Sequence, residues 1–197
     1  MRIDVLRHGE CEGGRIFRGH TDVALTANGW RQMEFGVGQL KDDWARIISS
    51  PLQRCRTFAE HLSQSYGLPL DIAPGLKEIG YGEWEGQCVA SVWREQEAAC
   101  MAWSRDPEYH GPPGGEAFAA FRQRVLDTLK ALAENGQPVL LVTHGGVIKL
   151  LLSRAHNQPP AWMMQLNVSY GFAASLRYNE GLSSVDYPDA SKYVYSG

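Results

Sequence analysis

Residues Val139–Thr143 form a run with no charge and apolar side chains on both faces of an extended chain, introduced by Pro138 and followed by His144-Gly145-Gly146. A strand apolar on both faces has to be buried on both, which is the position of a central strand in a parallel sheet covered by helices. No other segment limits the fold as strongly. Around it, strand-like and helical patterns alternate. Residues 3–7, 46–49 and 70–73 read as strands. Trp30, Met33, Val37, Leu40 and Trp44 recur at helical spacing behind a candidate N-cap, Thr26. Gly29, Gly36 and Gly38 weaken that pattern. Leu52, Cys55, Ala59 and Leu62 mark a second helix that ends near Gly67. Residues 89–105 are predicted as one helix, broken by the proline- and glycine-rich stretch 107–115. Phe118, Phe121, Val125, Leu129 and Leu132 give a further helix closed by Asn135-Gly136, and 147–153 form one after the central strand. The tail 170–195 alternates well enough for two or three short strands. Strands alternating with helices predict an α/β sandwich with a mostly parallel central sheet and an antiparallel edge.

Composition narrows the function classes. With 44% hydrophobic and 21% charged residues, disorder and fibrous architectures are excluded. A length of 197 residues fits a single domain over 1–197. The formal charge of -3 argues against nucleic-acid binding, which calls for a basic surface. It leaves room for a small anionic substrate, because a few arginines can make a positive pocket on an acidic protein. No apolar stretch is long enough for a signal core or a membrane span. Cys11, Cys55, Cys88 and Cys100 form no C-x-x-C pair and no regular spacing. Free thiols and a cytoplasmic location are expected.

Two segments, Val5-Leu6-Arg7-His8-Gly9 and Leu141-Val142-Thr143-His144-Gly145, look alike: each is an apolar strand that delivers a histidine at its carboxyl end. Ligands of open α/β sheets bind at those ends, so two central strands of this kind can bring both imidazoles to one crevice. Arg7 adjoins His8, Arg54 and Arg56 follow the strand at 46–49, and Arg15 sits in a glycine-rich loop. Guanidinium groups match phosphate oxygens in charge and shape. Histidines with arginines and without clustered carboxylates suggest phosphoryl chemistry that needs no metal, with an imidazole as nucleophile. Bland readings compete. A lone histidine at a strand end is more often structural, and arginines on a helix are more often a solvated face. His8, Glu10 and Cys11 show no metal-ligand spacing. Tyr81, Trp93 and Trp103 read as core or helix-face residues, as do Phe17, Trp84 and Tyr109.

The combination is more specific than its parts. Leu6-Arg7-His8-Gly9-Glu10, the 17–29 loop and helix start, Ser49-Ser50-Pro51-Leu52-Gln53-Arg54-Cys55, the 78–86 segment and Val142-Thr143-His144-Gly145-Gly146 occur in order. Together they resemble the histidine phosphatase superfamily, the phosphoglycerate-mutase-like proteins. That resemblance implies a three-layer α/β/α sandwich, His8 as the phosphorylated nucleophile, and Arg7, Arg54 and His144 as phosphoryl ligands. It implies Glu78 as the acid that protonates the leaving alcohol, with no metal and no cofactor. Two departures stand out. Cys11 replaces the usual Thr or Ser, and Gly13-Gly14 falls where many members have a phosphate-contacting asparagine, leaving Arg15 as a candidate substitute. The segment Gly114-Gly115-Glu116 with Phe121 and Arg124-Val125 resembles the small phosphatase branch, and within it the α-ribazole phosphatases. The implied substrate is a small phosphorylated metabolite, α-ribazole 5′-phosphate, in cobalamin biosynthesis. Alternatives of the same superfamily are a broad-specificity phosphatase, a sugar-phosphate or bisphosphate phosphatase, and a phosphoglycerate mutase. Residues 83–115 are expected to select the substrate. A monomer or homodimer is expected, with no nucleic-acid or membrane partner.

Overall fold

The computed structural model describes residues 1–179 and 181–186; the part of the predicted tail strands at 187–195 lies outside the described residues. In chain order the elements are β1 (Arg2–Arg7), α1 (Ala27–Val37), β2 (Arg46–Ser49), α2 (Gln53–Tyr66), β3 (Leu70–Ile72), α3 (Val89–Glu95), α4 (Glu97–Arg105), α5 (Phe118–Ala133), β4 (Val139–Thr143), α6 (Gly145–Ala155), β5 (Ala173–Tyr178) and β6 (Leu182–Asp186). They build one sheet of order β3-β2-β4-β1-β5-β6. β1, β2, β3 and β4 pair in parallel, while β5 and β6 add an antiparallel edge. The predicted central strand is β4, fully buried and flanked by β1 and β2.

The two-residue period of the strands divides the interior into two layers. Ile3, Val5, Ile48, Val139 and Leu141 face a core shared with Phe121, Val125 and Leu129 of α5 and Val147, Ile148 and Leu151 of α6. Leu6, Ile47, Leu140 and Val142 face Met33 and Val37 of α1 and Cys55, Phe58 and Leu62 of α2. A satellite cluster of Phe17, Trp84, Val92 and Cys100 packs between the 17–29 loop and α3–α4. All four cysteines are free. No helix is long and apolar enough to cross a membrane among the described residues.

Two helix expectations need correction. α1 stops at Val37, where Gly38 donates to the Glu34 carbonyl at 3.1 Å. Leu40 and Trp44 therefore leave the helix, although both still pack in the layer of Met33 and Val37. The Trp44 indole donates to the buried carboxylate of Asp4 on β1 at 2.6 Å. The predicted helix over 89–105 is two helices broken at Gln96, whose backbone leaves the helical region (φ -131°, ψ 40°). That break aims the Gln96 amide oxygen at the Trp84 indole, which donates to it at 2.8 Å. A buried indole N–H needs such a partner. The Thr26 N-cap is formed as expected, its hydroxyl accepting from Gly29 N at 2.9 Å.

Removing the donor to a buried carboxylate costs the desolvation that the bond offsets. Trp44→Phe should therefore lower the stability by about 1–3 kcal/mol, read as a lower urea midpoint at an unchanged slope.

Candidate active site

β1 and β4 are neighbouring parallel strands with Arg7 opposite Thr143, so the next residues, His8 and His144, leave the sheet side by side. Their rings lie 5.3 Å apart, edge to face. Both are buried, at 4% and 0% exposure. Neighbouring groups set their tautomers. His8 Nδ1 lies 2.8 Å from the Gly9 carbonyl oxygen, which can only accept, so Nδ1 carries the proton and Nε2 keeps its lone pair. His144 Nδ1 receives a hydrogen bond from Arg54 Nε at 3.3 Å, so its proton is on Nε2, which donates to Ser50 Oγ at 2.7 Å. Burial, then the Arg7 and Arg54 guanidinium groups, hold His8 well below the usual histidine range. Burial and Arg54 do the same for His144. Both imidazoles are neutral at pH 7. Burial pushes the thiols of Cys11, beside His8, and Cys55, beside His144, upward, so neither supplies a thiolate.

Arg54, in the first turn of α2, is fully buried. Its guanidinium donates to the carbonyls of Thr21 (2.8 Å), Gly19 (2.7 Å) and Arg18 (3.2 Å) as well as to His144. The solvated-face reading applies instead to Arg56, which is exposed and pairs with Glu60 at 3.4 Å. Arg7 lies over the Tyr170 ring at 4.4 Å and donates to the Val168 carbonyl. Glu78 is buried with each carboxylate oxygen on a backbone amide: Oε1 on Ile79 N (3.1 Å) and Oε2 on Gly146 N (3.0 Å), in the first turn of α6. That approach needs glycine at 146, because a Cβ there would stand 2.3 Å from Glu78 Oε1.

A cavity of about 570 Å³ opens beside this cluster. Arg7, Glu78 and Arg15 are on its wall; His8, His144 and Arg54 are not, and lie buried behind it. Arg15 is thus brought to the cavity and not into contact with the imidazoles. Tyr81, Trp93, Trp103 and Phe118 form an apolar wall together with Met163 and Leu166. Tyr81 and Trp103 also pack against the satellite cluster of Phe17 and Trp84, and Trp93 is on the face of α3, so the core and helix-face reading holds for these residues while three of them also reach the cavity. Tyr109 is 84% exposed, in the proline- and glycine-rich stretch where no element packs over it.

Three supporting residues escape a reading by sequence. Glu85 accepts from the amides of Gly19 (3.2 Å), His20 (2.9 Å), Thr21 (3.1 Å) and Tyr81 (3.0 Å) and from the Thr21 hydroxyl (2.5 Å). Partial burial alone would raise this carboxyl, but the bonds from Thr21 and the backbone hold it below the usual range. Arg124 grips both Glu116 carboxylate oxygens at 2.7 Å and the carbonyls of Gly75, Lys77 and Glu78 at 2.7–2.9 Å. Arg18 donates to the carbonyls of Glu12 and Gly14, tying down the Gly13-Gly14 loop. Glu85 and Arg124 stand inside motifs the sequence displays, but nothing local marks them as anchors. Among the described residues no group of three or more His, Cys, Asp or Glu side chains is arranged to hold a metal ion.

Residues 3–187 match the family model for the histidine phosphatase superfamily (branch 1). The chain is 30% identical to the adenosylcobalamin/alpha-ribazole phosphatase of Salmonella typhimurium over 94% of each chain. It is 32% identical to the glucosyl-3-phosphoglycerate phosphatase of Mycolicibacterium vanbaalenii, over 76% of this chain and 72% of that one. The crystal structure of the alpha-ribazole phosphatase from Shigella flexneri superposes with a TM-score of 0.79 at 30% identity, covering 95% of this chain and 97% of the other.

Glu85→Gln places an amide N–H₂ against backbone donors and should cost about 2–3 kcal/mol, seen as a lowered thermal midpoint. A second outcome follows from the histidines. The unfolded chain takes up protons on His8 and His144 as the pH falls below about 6.5, whereas the folded protein resists both. Stability should therefore fall on acidification, with this pair adding up to about 2.7 kcal/mol per pH unit below that point. Urea unfolding between pH 5 and 7 measures the slope, and His8→Asn should cut the pair's share to about 1.4 kcal/mol.

Proposed function

Since the chain belongs to the histidine phosphatase superfamily and is a phosphatase, we propose that it hydrolyses phosphate monoesters through a phosphohistidine on His8, with α-ribazole 5′-phosphate as the leading substrate. The observation that carries the mechanism is the His8 tautomer: Nδ1–H is committed to the Gly9 carbonyl, which leaves the Nε2 lone pair beside buried cationic charge. In the first step Nε2 attacks phosphorus and the bond to the ester oxygen breaks with its electron pair, while Glu78, as the general acid, passes a proton to that oxygen. In the second, the Glu78 carboxylate takes a proton from water, whose oxygen attacks phosphorus while the N–P pair returns to Nε2. Arg7 and Arg54 supply positive charge to the equatorial oxygens, and neutral His144 gives one of them its Nε2–H in place of the Ser50 hydroxyl. Release of the product to water distinguishes this from a mutase.

The substrate assignment rests on relatives that carry the alpha-ribazole phosphatase name and on the cavity. A volume near 570 Å³ with an aromatic wall suits an aromatic nucleotide-like ester. Residues 83–115 contribute Trp93, Trp103 and Pro107 to that wall, in keeping with a role in substrate selection. On this reading the product feeds cobalamin biosynthesis. A second reading, a phosphorylated acid like that in the glucosyl-3-phosphoglycerate phosphatase name, is favoured by two more cations on the wall, Arg15 and Lys149.

A panel of phosphate esters tests the proposal. We expect kcat/KM for α-ribazole 5′-phosphate to exceed that for simple sugar phosphates by about tenfold or more, equivalent to about 1.4 kcal/mol of transition-state binding. His8→Ala should abolish turnover and the acid-labile, alkali-stable phosphoenzyme. Equal rates for His8→Ala and wild type would overturn the nucleophile, and a flat panel would overturn the substrate.

A further inference from the structure

The loop between β1 and α1 buries a guanidinium of its own. Arg18 is only 8% exposed. Its Nη2 donates to the carbonyls of Glu12 (2.7 Å) and Gly14 (2.9 Å). The left-handed backbone of Gly13 and Gly14 (φ 86° and 70°) turns the loop back so that both carbonyls reach one nitrogen. Those bonds explain how the side chain is held, but not why a charged group stands there. Arg18 Nε is buried and has no hydrogen-bond partner. Among the described residues no carboxylate pairs with this guanidinium, whereas the partly buried Arg2 and Arg124 have Asp4, Asp43 and Glu116. A guanidinium cannot shed its proton to escape burial, so an unpaired one is costly until an anion arrives.

The surroundings of Arg18 say which anion. Its backbone carbonyl accepts from Arg54 Nη2 at 3.2 Å, so the two cationic residues are joined at one point. Cys11 Sγ lies 3.5 Å from His8 Nδ1. Burial raises the Cys11 thiol, and of the three guanidinium groups that oppose it Arg18 acts most strongly, ahead of Arg54 and Arg7. Burial, Arg7 and Arg54 hold His8 down, and Arg18 adds to them. Three guanidinium groups therefore act on the proposed nucleophile, and only Arg18 has no part in the mechanism above.

We infer that Arg18 is a further phosphoryl-binding residue, whose free Nε donates to an oxygen of the group transferred to His8. This rests on the phosphatase reading and adds a third guanidinium to the reacting group itself. A charge-assisted bond to a phosphoryl oxygen strengthens as negative charge gathers there. The phosphoryl is common to every ester, so the loss of this bond has to be independent of the leaving group.

The test compares wild type, Arg18→Gln and Arg18→Lys on phenyl phosphate and glycerol 3-phosphate, with orthovanadate, a five-coordinate mimic of the transferring phosphoryl, as inhibitor. Arg18→Gln should lower kcat/KM about tenfold or more, by a similar factor on both esters, and raise the vanadate Ki by a comparable factor. Arg18→Lys, which keeps the charge, should restore part of both. A residue that only ties down the loop would lower the thermal midpoint and leave the vanadate Ki where it was. Arg18→Met, which removes the charge without leaving a polar atom, replaces Arg18→Gln if that variant does not fold. The inference is overturned if the neutral variant keeps kcat/KM and Ki within about twofold, if kcat/KM falls while Ki stays, if only one ester is affected, or if Arg18→Lys is no better than the neutral variant. Each of those leaves the phosphatase reading standing. That reading fails only if wild type releases phosphate from no ester, α-ribazole 5′-phosphate included.

Discussion

The Arg54 guanidinium has no solvent exposure, and its hydrogen-bond partners are carbonyl oxygens and an imidazole nitrogen, not a carboxylate. A carboxylate partner would pair with the guanidinium charge, whereas carbonyl dipoles satisfy the donors and leave the positive charge in place. Much of the surrounding structure serves that arrangement. The carbonyls of residues 18, 19 and 21 converge because Glu85 collects the amides of the same loop from the opposite side. Trp84, next to Glu85, is fixed in the satellite core by its bond to Gln96. Burial first, and guanidinium charge second, keep both imidazoles neutral, the state the proposed nitrogen nucleophile requires.

Glu78 is positioned by a separate device. Its carboxylate meets the first turn of α6 only because residue 146 lacks a side chain, and its backbone is held by Arg124 from α5. Glu78 and His8, the proposed acid and nucleophile, thus have different anchorages, one on α5 and α6, the other on the end of β1.

The fold was largely legible in the sequence, because apolar periodicity is a local property. The buried strand Val139–Thr143, the Thr26 cap and the helix of Phe118, Phe121, Val125 and Leu129 all appear as read. The failures are where a tertiary contact overrode the period. Trp44 keeps helical spacing with Trp30 but leaves the helix to reach Asp4, and Gln96 interrupts a good helical stretch to reach Trp84. Of the proposed site, His8, His144, Arg7, Arg54 and Glu78 were named from motifs, and the structure brings them together. Arg15, named as a loop substitute for a missing asparagine, lines the cavity together with Arg7 and Glu78.

The sequence by itself determined which strands are central and that each carries a histidine past its carboxyl end, because strand period and chain order are written locally. Only the tertiary structure decided what those histidines are. Their tautomers depend on a carbonyl, a guanidinium and a hydroxyl from other segments. It likewise turned Glu85 and Arg124 into anchors and set Lys149 on the cavity wall beside Glu78. Hydrogen bonds between residues far apart in the chain leave no periodic trace in it, since their geometry exists only once the layers have packed.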